Sequence, residues 1–200
     1  MQHTVVTSRS EDLAESDRMG MFRLRAEVFQ GRLGWDVHVT DDGLEIDRFD
    51  QLDQAHYIIA KSSLSEIDAC WRLLPTTGPN MLRDVFPGLM HGQPVPAARD
   101  VWELSRFAVS TTRLSAADSA GTHQFGFGEI SFALMKASAE FGLEHGIARY
   151  VTVTTVPIER LMRKLGLNVH RAGPPIREGK DLAVACFIEI DDVTLRALER

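Results

Sequence analysis

Cysteine is scarce: Cys70 and Cys186 are the two in 200 residues, each inside an apolar run. They read as two buried free thiols in a reducing compartment rather than as a disulfide. Long apolar runs are missing as well, since nothing approaches the roughly 20 uninterrupted apolar residues of a membrane helix. The first residues, Met1 to Ser8, lack a basic stretch followed by an apolar one, so no secretion signal is expected. Positive charge is in deficit, with 22 Lys and Arg against 28 Asp and Glu and a net charge of -6. That balance argues against nucleic acid as the main partner. Histidines 3, 38, 56, 91, 123, 145 and 170 show no paired ligand spacing, which argues against a metal site. No Gly-x-Ser-x-Gly elbow is present to support a serine hydrolase. A soluble cytoplasmic protein is expected, and its 44% hydrophobic and 25% charged composition can bury a core without staples or metals.

The apolar spacing predicts a helix over about 12–30, on which Arg25 and Phe29, four apart, share a face. An acid-dense segment follows: Asp36 to Asp53 holds seven acidic residues against one basic, Arg48. Strands are expected at His56–Lys61, Ile67–Leu74 and Val101–Val109, with a short helix around Met81–Met90 between the last two. Thr111 to Gly128 is rich in Gly, Ser and Thr and reads as a mobile loop of about 111–128. An amphipathic helix follows from Ile130, then a strand at Arg149–Thr155. Pro157 suits the first turn of a helix whose buried stripe is Ile158, Leu161, Met162 and Leu165 and which Gly166 stops. A strand at Asp181–Ile190 and a short helix end the chain. No repeat or linker divides it, so residues 1–200 are expected to form a single-domain α/β three-layer sandwich with a mixed central sheet.

Four strings, in register over nearly the whole chain, resemble the LuxI-type autoinducer synthase family, which makes acyl-homoserine lactones. They are Arg25-Ala-Glu-Val28-Phe29 with Leu33-Gly34-Trp35; Glu45-Ile-Asp47-Arg-Phe49-Asp50; Trp71-Arg72-Leu-Leu-Pro75 through Pro79 to Phe86-Pro87; and Val101-Trp102-Glu103-Leu104-Ser105-Arg106-Phe107-Ala108. The resemblance implies a fold similar to the GNAT N-acyltransferases, with S-adenosylmethionine as substrate and no prosthetic group. It implies an acyl carrier protein as acyl donor, with acyl-CoA as the alternative. The amine of S-adenosylmethionine attacks the acyl thioester; its carboxylate then displaces the sulfonium, closing the lactone and releasing methylthioadenosine. Such chemistry calls for a general base, donors for the thioester oxygen, and close orientation of two bulky substrates.

The resemblance assigns catalytic roles to Glu103, Arg106 and Arg72, and S-adenosylmethionine binding to Arg25, Phe29, Trp35, Asp47, Asp50, Arg106 and Phe107. Glu103 has two readings of equal standing: the general base, or a strand glutamate paired with Arg72 or Arg106 that orders the site. Asp47, Asp50, Glu103, Arg25, Arg72 and Arg106 form a net-neutral set suited to a zwitterion. Arg106 is the expected direct ligand and Arg72 the network member. Phe29 and Trp35 offer aromatic walls for adenine and sulfonium. Glu103 and Arg106 lie on opposite faces of a regular strand, so an irregularity is expected at about Ser105.

The expected acyl pocket draws on Ser105, Leu104, Thr152, Thr154, Met135 and Val153, with Met81, Leu82, Val85, Leu134 and Leu161 as further apolar candidates. The family likeness of Thr152 and Ser105 implies a medium-length chain with a 3-oxo or 3-hydroxy group. Residues 160–180 hold six basic side chains and one acid. Within them Arg160, Arg163, Lys164 and Lys180 are expected to dock the acidic carrier protein. Two rivals share features of this sequence. An ordinary acyl-CoA acetyltransferase is suggested by His123-Gln-Phe-Gly126-Phe-Gly128, a near miss to that family's phosphate loop. A non-enzymatic sensor of S-adenosylmethionine would differ in releasing no methylthioadenosine.

Overall fold

The computed structural model describes residues 3–113 and 128–199. In chain order the elements are β1 (His3–Arg9), α1 (Glu15–Ala26), a π-helical turn (Glu27–Arg32), a 3-10 turn (Arg48–Gln51), β2 (His56–Ser62), β3 (Ile67–Pro75), α2 (Met81–Asp84) and a second 3-10 turn (Pro87–Met90). There follow β4 (Val101–Val109), α3 (Glu129–Glu144), β5 (Arg149–Thr155), α4 (Val156–Lys164), β6 (Val169–Arg171), β7 (Ile176–Glu178), β8 (Asp181–Glu189) and α5 (Asp192–Leu198). The result is the expected α/β fold with a mixed sheet: β4 and β5 run parallel, while β1–β2, β5–β8, β6–β8 and β7–β8 are antiparallel.

The chain falls into two compact units, each built from two stretches of sequence: Met1–Arg72 with Arg106–Ser138, and Leu73–Ser105 with Ala139–Arg200. In the first, β1 and β2 pair from His3↔Ser62 to Arg9↔His56. Strand β1 was not anticipated, because its alternating half-exposed residues form a short run without strong apolar content. The expected helix over 12–30 is α1 followed by a π turn, in which the Leu33 N–H reaches back five residues to the Val28 carbonyl at 2.9 Å. Gly20 lets α1 approach β3: a Cβ there would lie 3.0 Å from Ile67 Cγ1. Every residue of β3 is buried, including Asp68 and Arg72.

In the second unit β5 pairs with β8 from Arg149↔Glu189 to Thr155↔Ala183. Strand β4 pairs with β5 from Val101↔Arg149 to Leu104↔Thr152, where that register ends although β5 continues to Thr155. Cross-strand partners share a face. Glu103, Val151, Val153, Ala185 and Phe187 therefore lie on one side, and Trp102, Leu104, Thr152, Thr154 and Cys186 on the other. Trp102 meets Phe141 of α3 edge to face at 5.5 Å on that second side. The expected helix around 81–90 is two short pieces, α2 and a 3-10 turn starting at Pro87. The expected stripe of α4 is corrected: Met162 is buried, Ile158, Leu161 and Leu165 are half-buried, and the other buried position on that helix is Glu159. Most of the expected loop 111–128, including His123 to Phe127, lies outside the described residues.

Candidate active site

In the first unit, α1, the acid-dense loop, β3 and β4 bring six charged side chains together. The guanidinium of Arg25 meets Glu45 at 2.5 Å and Asp50 at 2.8 Å through two nitrogens. Arg72 reaches Asp47 at 2.6 Å and Asp50 at 2.8 Å. Arg106 reaches Glu45 at 3.1 Å and Asp47 at 2.9 Å. Three carboxylates thus face three guanidiniums, and the cluster is formally neutral, as burial requires. Each guanidinium also lies over a phenylalanine ring: Arg25 over Phe22 at 5.1 Å, Arg72 over Phe49 at 5.4 Å and Arg106 over Phe29 at 5.6 Å.

Asp50 is the hub. It also accepts the Tyr57 hydroxyl at 2.6 Å and the Asp47 backbone N–H at 2.8 Å, and Asp47 in turn caps the 3-10 turn that carries Asp50. Burial opposes its ionisation, but Arg25 and Arg72 outweigh burial and hold its carboxyl far below the usual range. The same pairing outweighs burial at Arg25 and Arg72, raising both, whereas burial prevails at Arg106 and lowers it. Burial pushes the Tyr57 phenol up, aided by Asp50, and the Cys70 thiol up to about 12.

The cluster has an accessible end. Arg25 and Arg72 are fully buried, whereas the side chains of Arg106 and Asp47 are 13% and 17% exposed. Trp35 stacks on Phe29 at 5.3 Å with rings 6° from parallel, and is itself 37% exposed. The π turn sets this stack, because the Trp35 N–H donates to the Phe29 carbonyl at 2.8 Å. Phe107 packs edge to face on Trp71 at 5.0 Å. The backbone irregularity expected near Ser105 is found at Arg106, which adopts a left-handed conformation with φ 58°. That conformation is unfavourable for a residue with a Cβ and turns the Arg106 side chain out of strand alternation.

Sequence reasoning placed Arg25, Phe29, Trp35, Asp47, Asp50, Arg72 and Arg106, which the structure brings together, and named Glu103 as the third carboxylate of the set. It gave no role to Glu45, the carboxylate that pairs with Arg25 and Arg106. Phe22, Phe49 and Tyr57 were also missed. Signals existed for two of them: Phe22 is three residues before Arg25 on one helix, and Glu45 shares its acidic string with Asp47 and Asp50.

In the second unit Glu103 is buried, and its two oxygens accept the backbone N–H groups of Met81 at 3.0 Å and Leu82 at 2.6 Å. With Asn80 Oδ1 accepting the Arg83 N–H at 3.0 Å, the first turn of α2 is satisfied by side chains. Leu82, Leu89, Met90, Val151, Ala183 and Ala185 form a buried apolar cluster, with Phe86, Val95, Val153, Ala172, Ile176 and Phe187 against it. The strand residues expected to line the acyl pocket lie on both faces of β4 and β5. Val153 belongs to this cluster, while Leu104 and Thr152, both buried, and Thr154 point to the opposite face. Ser105 is half-buried, and Met135 is buried within the first unit.

On α4, Arg160, Arg163 and Lys164 are exposed, as is Lys180. Arg163 is however paired with buried Glu159 at 2.5 Å, and Arg171 binds the same carboxylate at 2.7 Å. The charge of the 160–180 segment is thus partly neutralised by an acid one residue outside it.

The autoinducer synthase family profile matches residues 9–198. An acyl-homoserine-lactone synthase of Pseudomonas aeruginosa is 40% identical over 179 residues, 89% of this chain and 85% of its own length. Among solved structures, the AHL synthase LasI superposes with a TM-score of 0.87 at 38% identity, covering 98% of this chain and 94% of LasI. BjaI, a CoA-dependent acyl-homoserine lactone synthase solved with SAM and isopentyl-CoA, gives 0.85 at 26% identity over 99% of this chain and 88% of its own. An acyl-CoA N-acyltransferase from Pseudomonas aeruginosa shares the fold alone, at 14% identity and a TM-score of 0.63 over 93% of this chain and 99% of its own.

Proposed function

This chain belongs to the autoinducer synthase family and is an acyl-homoserine-lactone synthase, and from that premise we propose how its own residues perform the reaction. S-adenosylmethionine binds at the accessible end of the charged cluster. Asp47 meets its positive charge, Arg106 its carboxylate, and the exposed face of Trp35 its sulfonium and adenine. The observation that carries this reading is the gradient of exposure within a formally neutral cluster: Arg25 and Arg72 are sealed, while Asp47 and Arg106 are not. A cluster serving stability alone gains nothing from an open end.

The neutral amine nitrogen attacks the thioester carbon; the C–N bond forms, the C–S bond breaks, and the proton that the nitrogen loses balances the one taken up by the leaving thiolate. The carboxylate oxygen then displaces the sulfonium, closing the lactone and freeing methylthioadenosine. Holding the two substrates in line supplies most of what a protein can add here. The acyl chain lies along the edge of β5 beyond Thr152, where the register with β4 ends, and its tail meets the apolar cluster at Val153. Buried Thr152, opposite Leu104, recognises an oxygen at the third carbon of a medium-length chain.

The donor is an acyl carrier protein docked on Arg160 and Lys164, and the reaction takes place in the cytoplasm. Among the described residues no helix is long and apolar enough to cross a membrane. The isopentyl-CoA bound by BjaI favours a second reading, in which acyl-CoA is the donor. One experiment separates them: S-adenosylmethionine is supplied with matched acyl-carrier and acyl-CoA panels, and lactone and methylthioadenosine are measured by mass spectrometry. Equal yields of the two products with carrier-bound 3-oxo or 3-hydroxy chains are expected. Turnover with acyl-CoA only overturns the carrier assignment, and unsubstituted products only overturn the role of Thr152.

A further inference from the structure

We propose that Glu103 is a positioning residue that sets acyl-chain selectivity through Leu82, rather than the proton acceptor of amide formation. The inference rests on the reading that the acyl tail meets the apolar cluster at Val153.

Three observations carry it. First, both Glu103 oxygens are engaged by N–H donors, of Met81 at 3.0 Å and Leu82 at 2.6 Å. With one N–H on each oxygen, the carboxylate is aimed at the first turn of α2 and caps it. Second, Glu103 is paired across the ladder with Val151, so its side chain stands on the face that carries Val151 and Val153. Third, Leu82, whose backbone Glu103 holds, is fully buried in the cluster with Val151, Ala183 and Ala185, and Val153 packs against that cluster. One carboxylate thus fixes the height of α2 above β5, and with it the position of the Leu82 side chain over the strand that receives the acyl tail.

Helix α2 has only four residues and cannot hold this position by its own hydrogen bonds. Without an acceptor at Glu103 the N–H groups of Met81 and Leu82 lose their partner, and the Leu82 wall moves. Retraction of the wall changes the room available to the far end of the acyl chain, which discriminates by length and not by chemistry.

The test uses the full-length protein with competing acyl donors of short, medium and long chain, read as lactone ratios by mass spectrometry. Glu103→Asp keeps the charge but withdraws the carboxylate by one methylene; Glu103→Gln keeps the length but turns a donor toward one N–H. Both variants, and Leu82→Ala, are expected to change the long-to-short product ratio by about tenfold or more. The pH dependence of kcat with the preferred donor keeps its shape in all three. A general base contributes about 10²- to 10⁴-fold. Glu103→Gln losing that much with every donor at an unchanged ratio, or losing a limb of the pH profile, overturns the proposal. Should the Glu103 variants fail to fold, an unchanged ratio in Leu82→Ala overturns it alone. An unchanged ratio in Val153→Ala as well instead defeats the reading that the acyl tail meets this cluster, on which the inference rests.

Discussion

Arg106 Nη2 lies 2.9 Å from Asp47 Oδ2, and the residue that makes this contact is held at φ 58° inside a strand. The two facts belong together. A residue in ordinary strand geometry alternates faces with its neighbours, so the left-handed turn at Arg106 is what sends its guanidinium to the acidic loop. Ion pairing with Glu45 and Asp47 and the contact with Phe29 offset a backbone cost of about 1–2 kcal/mol.

That cost predicts an inverted order of stability at this position. Arg106→Gly and Arg106→Ala both lose the guanidinium, but only glycine adopts positive φ freely. Arg106→Gly is expected to be the more stable by about 1 kcal/mol in urea unfolding. An alanine variant of equal or greater stability would show that the backbone there is unstrained.

The hub of the cluster predicts an acid dependence. Asp50 is held ionised by Arg25 and Arg72, with a folded pKa far below that of the unfolded chain, ordinarily near ~3.9. The unfolded state therefore binds the proton first, and stability falls as pH drops below the ordinary carboxylate range. Asp50→Asn is expected to cost about 3–5 kcal/mol at neutral pH, since it leaves an excess buried cation. The gap to wild type then narrows below about pH 4 by up to ~1.4 kcal/mol per pH unit. Denaturant midpoints from pH 7 to pH 3 measure it; a gap that stays constant contradicts the assignment.

Both thiols are silent in the folded protein. Burial pushes Cys70 and Cys186 up to about 12, and the thiolate is the reactive species. A thiol reagent at about pH 8 is expected to label neither residue natively and both in denaturant. Rapid native labelling of either one would place it at the surface.

On α4 the arginines are not equivalent. Arg160→Glu with Lys164→Glu is expected to raise KM for an acyl-carrier donor by about tenfold at low salt and to leave acyl-CoA turnover unchanged. Arg163→Glu removes a partner of buried Glu159 and is expected to lower the melting temperature instead. A KM for the carrier donor that ignores both the reversal and the salt rules out this docking face.

The strands β2, β3, β4, β5 and β8 were legible because β-branched and aromatic runs bounded by turns have few alternatives. The charged set was legible only through the family strings. Periodicity shows Arg72 on a strand but not that a fully buried strand will carry an arginine, which depends on two carboxylates, Asp47 and Asp50, from a distant loop. Glu45 was not assigned a role for the same reason: it and Glu103 are both buried acids, and which donors reach each is decided by tertiary packing. Glu159 escaped notice because helical spacing sorts residues by polarity, and an ion-paired glutamate can occupy the buried face. The π turn has no sequence signature comparable to a cap or a proline.

The most direct measurement is calorimetric titration of S-adenosylmethionine into wild-type, Asp47→Asn and Trp35→Ala proteins, with Leu64→Ser, an exposed site elsewhere, as control. Weakening of about tenfold or more in both site variants, with the control at wild-type affinity and all four proteins folded, is the predicted result. Wild-type affinity in Asp47→Asn and Trp35→Ala would contradict it, because the ligand would then not be held at the open end of the cluster.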